Sequence, residues 1–487
     1  MGQNVTDLFF YKWRYVLGYG FVVLSIIALF LMAFFYIPGG LTEREMNSAV
    51  ESSSIGFTRE TFEAGNILNL PYHLLQRASL ELFGISNFSI KLPSLILALL
   101  SAAGLLLLLR TWFRQNVAVI TTLVVITTGQ LLFIAQSGTS SIMYIFTSVW
   151  MLLAAMKLSR HANLSGIWML ILAATTALSL YTTLSAYAVI ALLSATMLHP
   201  HLRYLVRKLP KVQLFFASLF ALVVAAPLVY AIVLDLDLAK RLLGIPETMP
   251  NLAANVSQLF NQYFNFTEPG TQLPMAPVYS LGTMILLGIG VIRLFATKYT
   301  ARSYIITAWS VLLLPILLLN PSYTTVTFVP AVLLIGLGVN ALLSYWYRLF
   351  PRNPYARLAG LLPLTILIGG LMFSGVDRYV YGYSYYPEAR AQFTNDASLL
   401  NRELSETSGA IRINTSPDEA EFYRLLIANR ESVSVQTTSG VAPTGVTFVT
   451  QAAHEAQDYQ SDTPKRILTD GRSSGADRFY IYKSTGN

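Results

Sequence analysis

Two glutamates, Glu43 and Glu45, stand two positions apart directly after a charge-free apolar stretch, residues 15–42. A carboxylate at that boundary can take a proton from an acceptor hydroxyl or hold a divalent cation against a phosphate. A solvated charged turn is the plainer alternative and the commoner fate of charged loop residues. The loop that follows, residues 38–88, adds Glu51, Glu60, Glu63, Glu81 and His73. A lone histidine is more often a satisfied structural residue than a ligand contact. A second long loop, residues 235–276, carries Asp235, Asp237, Lys240, Arg241, Glu247 and Glu268, and an aromatic–amide run around Tyr263. Aromatic faces beside amides suit a sugar, and they equally suit a helix lying in a membrane interface.

What must position these loops is a membrane bundle. Apolar residues make up 54% of the 487, charged residues only 12%, and mean hydropathy is +0.53. Soluble domains carry about a quarter charged residues, so composition excludes an ordinary soluble enzyme. The absence of cysteine excludes disulfide frameworks, thiolate metal sites and cysteine nucleophiles. Eight charge-free stretches are long enough to span a bilayer, which takes about 20 residues: 15–42, 92–109, 115–156, 161–202, 212–234, 269–292, 303–347 and 358–376. The three longest have polar breaks at 136–141, 181–185 and 320–325 and read as helical hairpins, giving an expected 11 transmembrane helices.

Lys12 and Arg14 place the N-terminus in the cytoplasm ahead of an uncleaved signal anchor. With sides alternating from there, the cytoplasmic connections hold 16 Lys and Arg against one acid, and the outer loops hold 6 against 10 acids. That is a positive-inside asymmetry. It accounts for the net charge of +8 by topology and leaves nothing for nucleic acid. Two units follow: a transmembrane domain over 1–376 with large outer loops at 38–88 and 235–276, and an extracytoplasmic α/β domain over 377–487. In the tail, helices are expected over 389–408 and from the Ser416-Pro417-Asp418-Glu419 start to about 428. Strands are expected at 432–436, 446–450, 466–468 and 479–482.

The segment 41–104 carries a family pattern: Thr42-Glu43-Arg44-Glu45, then Asn69-Leu70-Pro71-Tyr72-His73, then Leu82-Phe83-Gly84, then Lys91-Leu92-Pro93-Ser94. It resembles the GT-C superfamily of integral membrane glycosyltransferases. Within it the pattern looks like the branch of the protein O-mannosyltransferases and lipid A aminoarabinose transferases with their uncharacterised bacterial relatives. The resemblance implies an α-helical polytopic membrane protein with a large first outer loop. It also implies transfer of a hexosyl or pentosyl group from a polyprenyl-phosphate donor to a protein, lipid or envelope-glycan acceptor. Transfer would occur on the outer face of the plasma (inner) membrane. Glu43 or Glu45 matches the acidic motif expected as catalytic base, Glu45 also as a metal ligand for Mg²⁺ or Mn²⁺. Pro71, Tyr72 and His73 match the turn that shapes the substrate cavity.

The chain departs from the pattern in three places. The acidic pair is Glu-x-Glu rather than Asp-Glu. The stretch 133–141 lacks the arginines and acid usual there, and 320–325 lacks the usual basic residue. Arg44, Arg59, Arg77, Lys240 and Arg241 are the outer cations left to compensate a leaving phosphate, with Tyr263 beside them for the sugar. The alternative is a non-catalytic polytopic protein whose outer α/β domain binds an envelope ligand or partner. The enzyme reading requires Glu43 or Glu45 on a cavity open to lipid and water with a cation nearby. The binding reading requires both to face solvent and the principal cleft to lie in the C-terminal domain.

Overall fold

The computed structural model of the chain describes residues 9–37, 39–56, 67–160, 165–266, 276–297, 299–349, 354–407, 409–428, 430, 432–437, 445–456, 463–470 and 477–484. The bundle begins with α1 (Phe9–Phe35). Two short helices follow, α2 (Glu43–Ser54) and α3 (Leu70–Phe83), before the long α4 (Asn87–Trp112). A broken pair, α5 (Gln115–Ile126) and α6 (Gly129–Gln136), leads to α7 (Ser141–Ser159), α8 (Ser165–Ser179) and α9 (Ser185–Leu198). Then come α10 (Pro200–Arg207), α11 (Lys211–Leu234), α12 (Leu236–Leu243) and α13 (Leu252–Phe264). The bundle closes with α14 (Leu281–Ala296), α15 (Ala301–Leu319), α16 (Phe328–Leu349) and α17 (Pro354–Tyr385).

Hydroxyl residues cut the charge-free stretches into these helices. Thr42 and Ser86 form capping boxes with Glu45 and Ser89, and Ser280 and Thr300 cap α14 and α15. Such caps satisfy the first orphan N–H groups of a helix. Each of the eleven expected segments contains helix. Among the described residues, however, only six helices are long and apolar enough to cross a membrane, or up to eight if each bent pair is one span. Charge-free length overestimates helix length. One break comes where Thr127 and Thr128 turn their hydroxyls back onto the carbonyls of α5, and α5 and α6 meet at 63°. α8 and α14 are shorter apolar helices.

Beyond α17 lie α18 (Pro387–Ala391) and α19 (Asp396–Glu406), separated by four residues where one longer helix was expected. Thr394 in that gap exchanges two backbone hydrogen bonds, both 2.8 Å, with Leu41. Five strands follow: β1 (Ile411–Asn414), β2 (Val433–Gln436), β3 (Gly445–Thr450), β4 (Arg466–Thr469) and β5 (Asp477–Ser484), in the order β2-β1-β3-β5-β4. β1 runs parallel to β2 and β3, and β5 runs antiparallel to β3 and β4. α20 (Ala420–Ile427) and α21 (Gln451–Ala456) complete the tail.

The sheet does not close its core alone. Ile411, Ile413, Phe448 and Phe479 pack with Leu400, Leu404, Phe422 and Tyr423 of α19 and α20, and also with Leu41, Met46 and Ala49 of the first loop, Leu80 of α3 and Ile90 of α4. Apolar burial is non-directional and the largest favourable term in folding. The continuous core therefore fixes α2 between the bundle and the sheet.

Candidate functional site

The N-terminal turn of α2 presents Glu43 and Arg44 to solvent and drives Glu45 inward, where it is 1% exposed. Glu45 Oε2 accepts hydrogen bonds from the Thr42 N–H (2.7 Å) and hydroxyl (3.1 Å). Its Oε1 accepts the Gly138 N–H at 2.6 Å and lies 3.6 Å from the ammonium of Lys91, itself 3% exposed. Lys91 Nζ also donates to the Gly40 carbonyl (2.5 Å) and to Gln136 Oε1 (3.2 Å). A buried charge is tolerated only when paired and hydrogen-bonded, and here every partner comes from a different element. Gly40 and Gly138 are glycines for want of room. A Cβ on Gly40 would stand 2.7 Å from the Thr394 carbonyl oxygen, and one on Gly138 would stand 2.9 Å from Ile90.

A second polar seam joins α2 to α3. Gln76 Oε1 accepts from Ser48 (2.8 Å) and lies 2.6 Å from the Ser52 hydroxyl, while its Nε2 donates to the carbonyls of Ile90 and Gly138. His73 Nδ1 lies 2.8 Å from the Ser52 hydroxyl and Nε2 lies 3.4 Å from Glu51. Burial nonetheless lowers the His73 pKa to about 4. Burial raises the Glu51 carboxyl above its usual range. The Ser–His–Glu order mimics a nucleophile triad, but Ser52 is fully buried.

The other candidates are dispersed. Pro71 opens α3. Tyr72 is fully buried, with its hydroxyl 2.8 Å from Ser94. Arg77 pairs with Glu81 on its own helix at 2.6 Å. Lys240 and Arg241 of α12 pair with Asp237 (2.7 Å) and Asp235 (3.1 Å). Tyr263 is half-buried, its hydroxyl 2.9 Å from Thr327. Arg59 lies outside the described residues. The two long loops do meet: Ile67 at the approach to α3 packs with Leu238 and Leu242 of α12.

A cleft of about 230 Å³ opens where bundle and tail meet, lined by Tyr36, Tyr383, Ser384, Arg390, Phe393, Asn395 and Asp470. Phe393 and Asn395 flank the Thr394 that bridges to Leu41, two residues before Glu43. A narrower cavity of about 30 Å³ below it is lined by Gln130, Thr283, Arg378 and Tyr379. These two clefts lie within the bundle and at its junction with the tail.

Sequence reading missed Lys91, Gln136, Gly138, Arg378 and Arg390. Lys91 was visible as a cation in the Lys-Leu-Pro-Ser run, and residues 133–141 stood out by lacking charge. Glu45 fits a divalent cation poorly, because donors already take both its oxygens and an ammonium faces it. Among the described residues no group of three or more His, Cys, Asp or Glu is arranged to hold a metal ion.

Residues 71–230 match the family described as dolichyl-phosphate-mannose-protein mannosyltransferase. No curated protein matches the chain significantly. Among solved structures the fold is similar to ArnT from Cupriavidus metallidurans in the apo state, with TM-score 0.54 and 12% identity over 97% of this chain and 98% of that one. The same protein bound to undecaprenyl phosphate matches at TM-score 0.54 and 12% identity, over 96% and 98% of the two chains. The archaeal oligosaccharyltransferase AglB from Archaeoglobus fulgidus, in complex with an inhibitory peptide and a dolichol-phosphate, matches at TM-score 0.53 and 12% identity, over 86% of this chain and 64% of that one. The resemblance to the GT-C superfamily holds at the level of the family match and of the multi-pass membrane fold.

Proposed function

We propose that this protein is a membrane glycosyltransferase that moves a sugar from a polyprenyl-phosphate donor to a protein, lipid or glycan acceptor at the outer face of the membrane. The reading is carried by one observation: Glu43 stands exposed at the start of α2, two residues after Leu41, whose backbone pairs with Thr394 between the cleft residues Phe393 and Asn395. Of the two motif glutamates, Glu43 is the base and Glu45 the anchor, since Glu45 is buried with both its oxygens already hydrogen-bonded while Glu43 is exposed. An acceptor hydroxyl gives its proton to Glu43 and attacks the anomeric carbon, and polyprenyl phosphate leaves. Arg390 in the cleft compensates the leaving charge, the electrostatic task that dominates such transfers. No step is assigned to a metal.

The test is release of polyprenyl phosphate from a panel of sugar donors by the purified full-length chain, with and without Mg²⁺ or Mn²⁺. Glu43→Gln should lower turnover by roughly 10²–10⁴-fold, the usual contribution of a general base, with unfolding temperature unchanged. No turnover across the panel would move the assignment to an envelope-binding protein, which the solvent-facing Glu43 also fits.

A further inference from the structure

A cavity larger than the junction cleft lies at the opposite end of the bundle and plays no part in the proposed transfer. It measures about 840 Å³ and opens between α1, α5, α16 and α17. Ligand pockets run about 300–1,000 Å³. Its lining divides by chemistry. Tyr19, Arg114, Gln115, Asn116, Ser344 and Tyr347 gather at one end, toward the helix termini. Val117, Val119, Ile120, Leu343, Leu364 and Ile368 supply apolar wall, and the Asn340 amide is set deeper along α16.

The charge at this end is one-sided. Arg110 stacks over the Tyr19 ring at 5.3 Å, and Arg302 donates to the Trp112 carbonyl at 2.9 Å while lying over Phe113. Arg160 donates to the Thr111 carbonyl. No carboxylate pairs with Arg114 among the described residues, and its side chain is exposed at the cavity mouth. A basic, hydrogen-bonding mouth leading into an apolar slot inside a membrane matches a lipid with an anionic head and apolar tails. We infer that this crevice is a binding site for an anionic phospholipid of the leaflet at the basic end, with the phosphate on Arg114 and Gln115 and an acyl chain along α5 and α17. Basic residues near a bilayer surface draw anionic lipid, and the crevice adds a place for the tail that a surface patch lacks.

Gly18 lines the same crevice, and a Cβ there meets nothing within 4 Å. A larger side chain at this position fills the cavity without disturbing the helix. The test is native mass spectrometry of the full-length protein in an uncharged detergent, with added phosphatidylglycerol or phosphatidylcholine and with glycerol phosphate as a tail-free competitor. The wild type should retain phosphatidylglycerol over phosphatidylcholine, and glycerol phosphate should not displace it. Arg114→Gln should cut phosphatidylglycerol retention about fivefold and leave phosphatidylcholine unchanged, whereas Gly18→Leu should cut both. Equal retention of the two lipids by the wild type would overturn the inference. So would unchanged phosphatidylglycerol retention in both variants, or its displacement by glycerol phosphate. Unaltered unfolding temperatures in the variants separate a lost site from a lost fold.

Discussion

Two glutamates that look alike in sequence have opposite physical circumstances. Glu43 and Glu45 both sit in the first turn of α2, where a carboxylate interacts favourably with the helix dipole. The two-residue spacing then separates them, one outward and one inward. Glu45 completes the capping box and meets Lys91 in a setting with almost no water. Removing one partner of such a pair leaves an uncompensated buried charge and costs about 3–5 kcal/mol, whereas removing both together costs much less. Glu45→Gln and Lys91→Met should therefore each lower the unfolding temperature substantially, with the double variant more stable than either single one. Glu43→Gln should leave it unchanged. Unfolding temperatures of the wild type and the four variants in one detergent decide this, and a double variant as unstable as the sum of the singles would show that the pair is not coupled. A sequence cannot divide the two glutamates by spacing alone, because Lys91 and Gly138 reach Glu45 only in the folded chain.

At the scale of elements, α2 is placed by backbone contact as well as by side chains. The Leu41–Thr394 bridge needs Gly40 bare, since a Cβ there would press on the Thr394 carbonyl. Gly40→Val should open the bridge and loosen α2 from the sheet. The expected readout is faster amide exchange over residues 41–54 and 394–404, with the membrane helices unaffected. Exchange unchanged in both segments would mean that the apolar core holds α2 without the bridge. Much of this architecture was legible beforehand. The hairpin breaks at 136–141, 181–185 and 320–325 coincide with helix ends, because polar and proline-bearing runs cannot continue an apolar helix. Four of the five strands were visible as short β-branched and aromatic runs. β1 was missed because Arg412 and Asn414 interrupt the apolar run of Ile411-Arg412-Ile413-Asn414. Only its two parallel neighbours make it a central strand. The stop between α18 and α19 was missed for a related reason: its cause, the bridge to Leu41, lies some 350 residues away in the chain.

Across the whole molecule, the distribution of charge sets two ends with different work. The acid-rich loops and the sheet share one end with the Glu45–Lys91 lock and the junction cleft. Arg110, Arg114, Arg160 and Arg302 share the other with the large crevice. On the positive-inside expectation the second end faces the cytoplasm, an orientation that would put the proposed chemistry outside and the proposed lipid site inside. The chain contains no cysteine, so single cysteines report sidedness without background. Ser398 on α19 and Lys208 after α10 are both exposed. Ser398→Cys should react with a membrane-impermeant maleimide in intact cells, whereas Lys208→Cys should react only after the membrane is permeabilised. The reverse pattern would invert the molecule and place Glu43 on the cytoplasmic side, where a donor would have to be presented from the inner leaflet. Labelling of both in intact cells would place Ser398 and Lys208 on one side and break the alternation from which the eleven crossings were counted.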